Sequence, residues 1–183
     1  GIVNDRIVFV GNSTGKAAAR VIDCTGLIVA PGFIDPHAHV LEDLSDTKRR
    51  NNENYLMQGV TTLITGNDGG GPINTGAAMA RWKSGGIGVN AATYVGYGAV
   101  RREVMGMSAA PASPQQLDQM RKLVESAMRS GALGLSTGLF YAPQSYGATE
   151  EVVELAKVAA RFGGLYDSHL RDESSYTVGL RGA

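Results

Sequence analysis

Short apolar runs alternate with segments of helical character from residue 31 onward, and this alternation is the strongest constraint on the fold. Five runs have the composition of strands, at residues 29–34, 61–65, 89–95, 133–136 and 165–169. Helical segments between such runs indicate βα units whose strands pair in parallel. The sequence therefore predicts an α/β fold with about five of the eight βα units that a TIM-type (β/α)8 barrel needs to close.

Capping signals mark the helices. The clearest helix has Ser113 as its N-cap, Pro114 at the first helical position and Gln116 placed to complete a capping box. A second helix is predicted over 150–162, with Thr149 as its cap. Residues 73–83 and the polar stretch 46–58 are also predicted to be helical, whereas 96–112 is predicted to be a loop. Before residue 31 the pattern is β-rich, with a hairpin over 2–10 and short strands at 19–23 and 27–30.

The overall composition excludes some classes of protein. Acidic and basic residues number 17 each, so the formal net charge is zero, and a nucleic-acid partner is not expected. A membrane span is not expected either, because the sequence contains no apolar run of about 18 residues. The single cysteine, Cys24, cannot form an internal disulfide. That fits a reducing compartment and slightly favours the cytoplasm, but the sequence begins inside a strand-like pattern and leaves the localisation open.

Three histidines and one aspartate follow predicted strands. His37 and His39 are two residues apart, so in an extended chain their side chains point to the same side. His169 ends another strand, and Asp68 follows the strand at 61–65. Parallel strands bring their carboxyl ends to one edge, and imidazole and carboxylate groups suit zinc. The sequence therefore predicts a metal site, against the alternatives of loop histidines on the surface and an aspartate that forms an Asx-turn.

Two further side chains follow strands and are suited to binding substrate. Tyr141 comes shortly after the strand at 133–136, and Arg171 lies two residues beyond His169. An arginine at such an edge can bind a carboxylate with two parallel hydrogen bonds. The structural alternatives are a packing role for the tyrosine and an ion pair between Arg171 and Asp172 or Glu173.

Several motifs resemble those of a known family. Residues 31–39, PGFIDPHAH, resemble the first metal motif of the amidohydrolase superfamily. Segments further along resemble the D-aminoacylase (N-acyl-D-amino-acid deacylase) family, and they occur in that family's order over nearly the whole chain. These segments are QGVTT at 58–62, GN at 66–67, GALGLSTGL at 131–139 with Tyr141, residues 156–164 and HLRDE at 169–173.

The resemblance implies a specific architecture and reaction. It implies a (β/α)8 barrel with a small β-sandwich built from both chain ends, so we expect residues 1–28 in the sandwich and 29–183 in the first part of the hydrolase barrel. It implies zinc and the hydrolysis of N-acyl-D-amino acids. By the resemblance His37, His39 and His169 would bind the metal, and Tyr141 and Arg171 would contact the substrate.

The sequence departs from the family in two ways. Asp68 stands where D-aminoacylases typically have a cysteine ligand, which exchanges sulfur for a harder oxygen donor. The family's next histidine ligand and its general-base aspartate are expected beyond Ala183. We therefore expect this chain to be an incomplete fragment, inactive by itself, whose exposed strand edges favour self-association.

Two other functions remain as alternatives. One is a cyclic-amide hydrolase of the dihydroorotase or hydantoinase type, which commonly bridges two metals with a carboxylated lysine. Lys83, Lys122 and Lys157 all fall in predicted helices rather than at strand ends, which argues against it. The other is a metal-binding fragment without catalytic activity.

Overall fold

A computed structural model describes residues 1–172, which fall into two compact units, Gly1–Pro31 and a second that begins at Gly32. The last residue of the HLRDE motif, Glu173, lies outside the described residues. The first unit contains one hairpin, in which β1 (Ile2–Val3) pairs antiparallel with β2 (Arg6–Ile7). This confirms the predicted hairpin in a shorter form.

The prediction of strands at 19–23 and 27–30 was wrong. Neither segment forms a strand within the part of the chain that the structure describes. Apolar side chains there, including Val21 and Ile28, are exposed. A strand is stable only when its backbone groups pair with a neighbour and one face is buried, and these segments have neither within their unit.

The second unit contains two parallel three-stranded sheets. The first sheet has the order β3 (Phe33–Asp35), β4 (Val60–Thr65), β5 (Asn90–Thr93), and the second has the order β6 (Val95–Gly96), β7 (Gly134–Gly138), β8 (Leu165–His169). Every pairing within these sheets is parallel, which confirms the predicted α/β class.

The strand predicted at 89–95 is divided in two at Tyr94. Tyr94 N–H donates to the Thr65 carbonyl at 3.0 Å, and Leu133 N–H donates to the Thr93 carbonyl at 2.8 Å. Backbone bonds therefore extend from this segment toward β4 on one side and β7 on the other. The strand predicted at 29–34 is also shorter, since pairing begins only at Phe33.

Over residues 1–172, five α-helices and two short 3-10 helices accompany the strands. They are η1 (Asp43–Ser45), α1 (Glu53–Leu56), α2 (Thr75–Gly85), α3 (Tyr97–Met105), α4 (Pro114–Arg129), η2 (Gln144–Tyr146) and α5 (Thr149–Ala160). The capping box of α4 is present in both halves, as predicted. Helix α5 begins at Thr149 itself, with Ala148 at the cap and no side-chain cap bond. The polar stretch 46–58 is mostly turn, with only α1 helical.

The prediction of a loop over 96–112 was wrong for the first half of this segment, because α3 (Tyr97–Met105) lies there. Gly98 lowers the intrinsic helix propensity of this segment. Packing overrides it: Tyr97, Val100 and Arg101 are fully buried, and the Tyr97 hydroxyl donates to Glu151 of α5 at 2.6 Å. The Arg101 guanidinium pairs with the same carboxylate. Tertiary contacts therefore determine this helix.

Two apolar clusters form the core of the second unit. The larger joins α3, α4 and α5 to β6 and β7, and its fully buried members include Val95, Val124, Leu135 and Leu155. The smaller surrounds β4 and α2, with Leu44, Leu63 and Trp82. Each such side chain contributes about 1.5–3 kcal/mol on burial. The described helices include none long and apolar enough to cross a membrane.

Candidate metal centre

His37 and His39 directly follow β3 and point to the same side of the chain. The His37 backbone N–H donates to Asp35 Oδ1 at 3.0 Å, and Ala38 N–H donates to the Ile64 carbonyl at 2.9 Å. Ala38 between them is buried at 1% exposure, so the two imidazoles face away from the core. Their ring centroids lie 5.2 Å apart.

Asp68 brings a carboxylate to both imidazoles from the loop after β4. His37 Nε2 lies 3.5 Å from Asp68 Oδ1, and His39 Nε2 lies 3.3 Å from Asp68 Oδ2. The candidate ligand atoms of the three residues all lie within 4.8 Å of one another. Asp68 Oδ1 is buried and accepts no hydrogen bond from the residues that the structure describes. A buried carboxylate oxygen without a donor is costly unless a cation occupies that position.

This donor set fits zinc. Zinc binds histidine nitrogen and carboxylate oxygen at about 2.0–2.2 Å in tetrahedral geometry, which places neighbouring ligand atoms about 3.3 Å apart. The separations of 3.5 and 3.3 Å between imidazole nitrogens and Asp68 oxygens match that spacing. The three side chains therefore have a spacing that one zinc ion could use.

Asp167 is a neighbour of the site that the sequence interpretation missed. Its Oδ1 lies 3.2 Å from His37 Nδ1, and its Oδ2 accepts from Asn67 Nδ2 at 3.2 Å. Burial, and then the negative charge of Asp167, raises the pKa of Tyr94. The sequence spacing could have indicated Asp167, because it lies two residues before His169 in β8 and therefore shares the side of the strand that carries His169.

The loop that carries Asp68 is held by buried hydrogen bonds. Asp68 has a left-handed backbone, with φ 55°. Its carbonyl accepts from Gln144 Nε2 at 2.9 Å, while Gln144 Oε1 accepts from Gly138 N–H at 2.7 Å. Gly69 N–H donates to Ser136 Oγ at 3.1 Å. Gln144 carried no recognisable sequence signal, because only the fold brings η2 against this loop.

His169 and Tyr141 lie beside each other in the structure, where His169 ends β8 and Tyr141 follows β7. The Tyr141 ring contacts the His169 ring edge to face, with centroids 5.0 Å apart. His169 Nδ1 lies 2.9 Å from the Leu170 carbonyl, an arrangement that leaves Nε2 as the nitrogen with a lone pair when Nδ1 carries the proton. His169 is not a member of the three-residue cluster, so its role as a ligand stays a prediction.

Arg171 is anchored by backbone groups. Its guanidinium donates to the carbonyls of Ser145 and Gly147 at 3.3 and 3.1 Å. Tyr141 is half-exposed. Contact of either side chain with substrate stays a prediction. Among the described residues the lysines named above all lie in helices, Lys83 in α2, Lys122 in α4 and Lys157 in α5, which confirms their predicted placement away from the strand ends.

A polar cavity of about 450 Å³ opens beside His39. Its wall includes His39, Asp43, Arg49, Thr65 and Asn67. Arg49 is paired with Asp43 at 2.8 Å. The candidate metal site therefore borders, through His39, an open space of the size that accommodates a small molecule.

The family model described as "Amidohydrolase family" matches residues 20–168. The chain belongs to the amidohydrolase family. Among curated relatives of this amidohydrolase chain, the D-aminoacylase of Alcaligenes xylosoxydans xylosoxydans is 37% identical over 97% of the chain and 41% of the relative. The N-acyl-D-glutamate deacylase of the same organism is 34% identical over 94% of the chain and 40% of the relative.

Solved structures similar to this chain include the same two kinds of enzyme, a D-aminoacylase and an N-acyl-D-glutamate deacylase. A crystal structure of D-aminoacylase aligns with a TM-score of 0.84 and 34% identity, over 92% of this chain and 40% of that one. The N-acyl-D-glutamate deacylase of Bordetella bronchiseptica, complexed with zinc and a phosphonate inhibitor, aligns with a TM-score of 0.81 and 29% identity, with the same coverage. The amidohydrolase chain thus spans about two fifths of the length of these relatives.

Proposed function

We propose that the protein is a zinc-dependent amidohydrolase that cleaves the amide bond of N-acyl-D-amino acids. The observation that carries the proposal is the convergence of His37, His39 and Asp68 within 4.8 Å. The names of the relatives support the substrate class, since they are D-aminoacylase and deacylases of N-acyl-D-glutamate and N-acyl-D-aspartate.

In this proposal His37 and His39 bind zinc through Nε2 and Asp68 binds it through its carboxylate. His169 is the expected further ligand, because it lies at the carboxyl end of β8. A zinc ion held there would supply Lewis acidity and would lower the pKa of a bound water to about 7. Asp68 in place of a cysteine keeps a negative ligand but offers a harder atom, so we expect weaker selectivity for soft metals than a thiolate gives.

The proposed architecture is part of a (β/α)8 barrel. The two parallel sheets would be adjacent parts of its wall, with β5 and β6 as two halves of one barrel strand. The backbone bonds on both sides of the break at Tyr94 support this interpretation. Residues 1–28 would belong to the small β-sandwich.

Arg171 and Tyr141 are proposed to contact substrate. Arg171 uses Nη1 and Nη2 in bonds to two backbone carbonyls, and a guanidinium has five N–H donors in total. Among contacts with the described residues, three donors therefore remain for a substrate carboxylate. Tyr141 is 46% exposed beside His169, so its hydroxyl is accessible to a bound molecule.

The test uses the full-length protein and variants Asp68→Ala and His39→Ala. We expect about one or more zinc ions per protein by elemental analysis, loss of zinc from both variants, and hydrolysis of N-acetyl-D-amino acids in preference to the L enantiomers. Asp118→Ala is the matched control, because Asp118 lies on α4 in a solvent-exposed pair with Lys122. Retention of zinc by both site variants would contradict the proposed centre, and hydrolysis of L enantiomers alone would contradict the substrate class.

A further inference from the structure

We propose that Asp167 is a positioning residue for this metal centre. Its carboxylate holds the His37 imidazole through Nδ1 and so presents Nε2 to the metal. The inference rests on the proposed metal site, and it concerns a residue outside the three-residue cluster.

The two nitrogens of His37 face two different carboxylates. Nδ1 lies 3.2 Å from Asp167 Oδ1, and Nε2 lies 3.5 Å from Asp68 Oδ1. A neutral imidazole carries one N–H, and the hydrogen bond made by one nitrogen determines which nitrogen keeps its lone pair. An ionised carboxylate can only accept, and of the two contacts only the one to Asp167 Oδ1 is a hydrogen bond among the described residues. Asp167 therefore favours the proton on Nδ1 and the lone pair on Nε2.

Asp167 is itself held in place. Its Oδ2 accepts from Asn67 Nδ2 at 3.2 Å, and the same amide nitrogen lies 3.4 Å from the Pro36 carbonyl. Asn67 is 5% exposed and the Asp167 side chain is 20% exposed. The carboxylate therefore connects β8 to the loops after β3 and β4, and its hydrogen bond is only partly screened by solvent.

His39 provides an internal comparison. Its side chain is 67% exposed, and within the described residues its polar side-chain contact is the one between Nε2 and Asp68 Oδ2 at 3.3 Å. Of the two histidines after β3, only His37 thus has a carboxylate from the described part of the chain at Nδ1. The effect of Asp167 is expected at His37 and not at His39.

A direct role for Asp167 as a ligand of the same ion is disfavoured by its position. Asp68 Oδ1 lies at Nε2 of the His37 ring, whereas Asp167 Oδ1 lies at Nδ1, on the other side of that ring. An ion bound to Nε2 would adjoin Asp68 and would be separated from Asp167 by the imidazole. Carboxylates in this outer position commonly orient the histidine ligands of metals.

The experiment measures zinc affinity in the full-length protein by competition with a chromophoric chelator. Asp167→Ala is expected to weaken zinc binding about 10- to 100-fold. Asp167→Asn, whose amide oxygen still accepts from Nδ1–H, is expected to restore a substantial part of that loss. Asp118→Ala is the control and should bind zinc like the wild type, because Asp118 pairs with Lys122 on the exposed face of α4.

A second measurement separates positioning from a general structural effect. Long-range proton–nitrogen NMR of histidine-labelled, zinc-free protein reports which nitrogen of each imidazole carries the proton. We expect His37 to carry it on Nδ1 in the wild type and in Asp167→Asn. In Asp167→Ala we expect a mixture of tautomers at His37 and no change at His39.

Each result decides the proposal. Wild-type affinity in Asp167→Ala, or an unchanged His37 tautomer, would overturn the inference and leave the proposed metal centre intact. Equal weakening by Asp167→Asn and Asp167→Ala would also overturn it, since the effect would then depend on the charge rather than on an acceptor. Absence of zinc binding by the wild type would overturn the inference together with the proposed function.

Discussion

Replacing Gln144 by methionine tests how the loop of Asp68 is held in place. Gln144 is 5% exposed, and its amide joins two backbone groups from different parts of the chain. Nε2 donates to the Asp68 carbonyl at 2.9 Å, and Oε1 accepts from Gly138 N–H at 2.7 Å. Methionine has nearly the same length and volume but cannot make either bond, so the substitution removes both hydrogen bonds without leaving a large cavity.

The expected loss of stability follows from the two backbone groups that lose their partner, the Asp68 carbonyl and the Gly138 N–H. Each buried backbone group without a partner costs about 1–3 kcal/mol, so two such groups lower the free energy of unfolding by about 2–6 kcal/mol. The space is too tight for easy adjustment, because a Cβ at Gly69 or Gly98 would overlap the Gln144 amide. Rearrangement of this loop would also move the Asp68 carboxylate, so zinc affinity should fall together with stability.

Urea denaturation of the zinc-free protein, followed by circular dichroism, measures the change in the free energy of unfolding. Gln58→Met is the matched control, because Gln58 is exposed and its Nε2 donates to the nearby Asn54 carbonyl rather than to a distant loop. We expect the control to lie within about 0.5 kcal/mol of the wild type. A Gln144→Met variant equally close to the wild type would refute the argument that these two bonds hold the loop.

Three further predictions concern the scaffold. Ser113→Ala removes the cap bond to Gln116 N–H and should cost about 1 kcal/mol in urea denaturation. Leu155→Ala empties a fully buried position and should cost about 2–5 kcal/mol by the same measurement; a smaller loss would mean that the core collapses onto the space. Burial and the hydrogen bond to Glu151 raise the pKa of Tyr97, whereas an unfolded tyrosine ionises near pH 10. The unfolded state therefore loses its proton first, the free energy of unfolding should fall as the pH rises above about 10, and Tyr97→Phe should lessen that fall.

The sequence by itself determined features whose signals are local. Ser113, Pro114 and Gln116 lie within four positions of one another, so the start of α4 could be predicted from neighbours alone. The spacing of His37 and His39 likewise fixes a shared direction in any extended chain. The alternation of strands and helices gave the parallel α/β class, because short crossovers leave few other arrangements.

The tertiary structure decided the features that depend on distant partners. Helix α3 forms because Arg101 is buried against Glu151, 50 residues away in sequence. Asp167 meets His37 across 130 residues, and Gln144 meets the Asp68 carbonyl across 76. The segments 19–23 and 27–30 have strand-like composition but form no strand, because a strand requires a neighbour that composition cannot supply. Burial and hydrogen-bond partners are properties of the folded arrangement, so a single sequence shows the ligands of this site more readily than the groups that orient them.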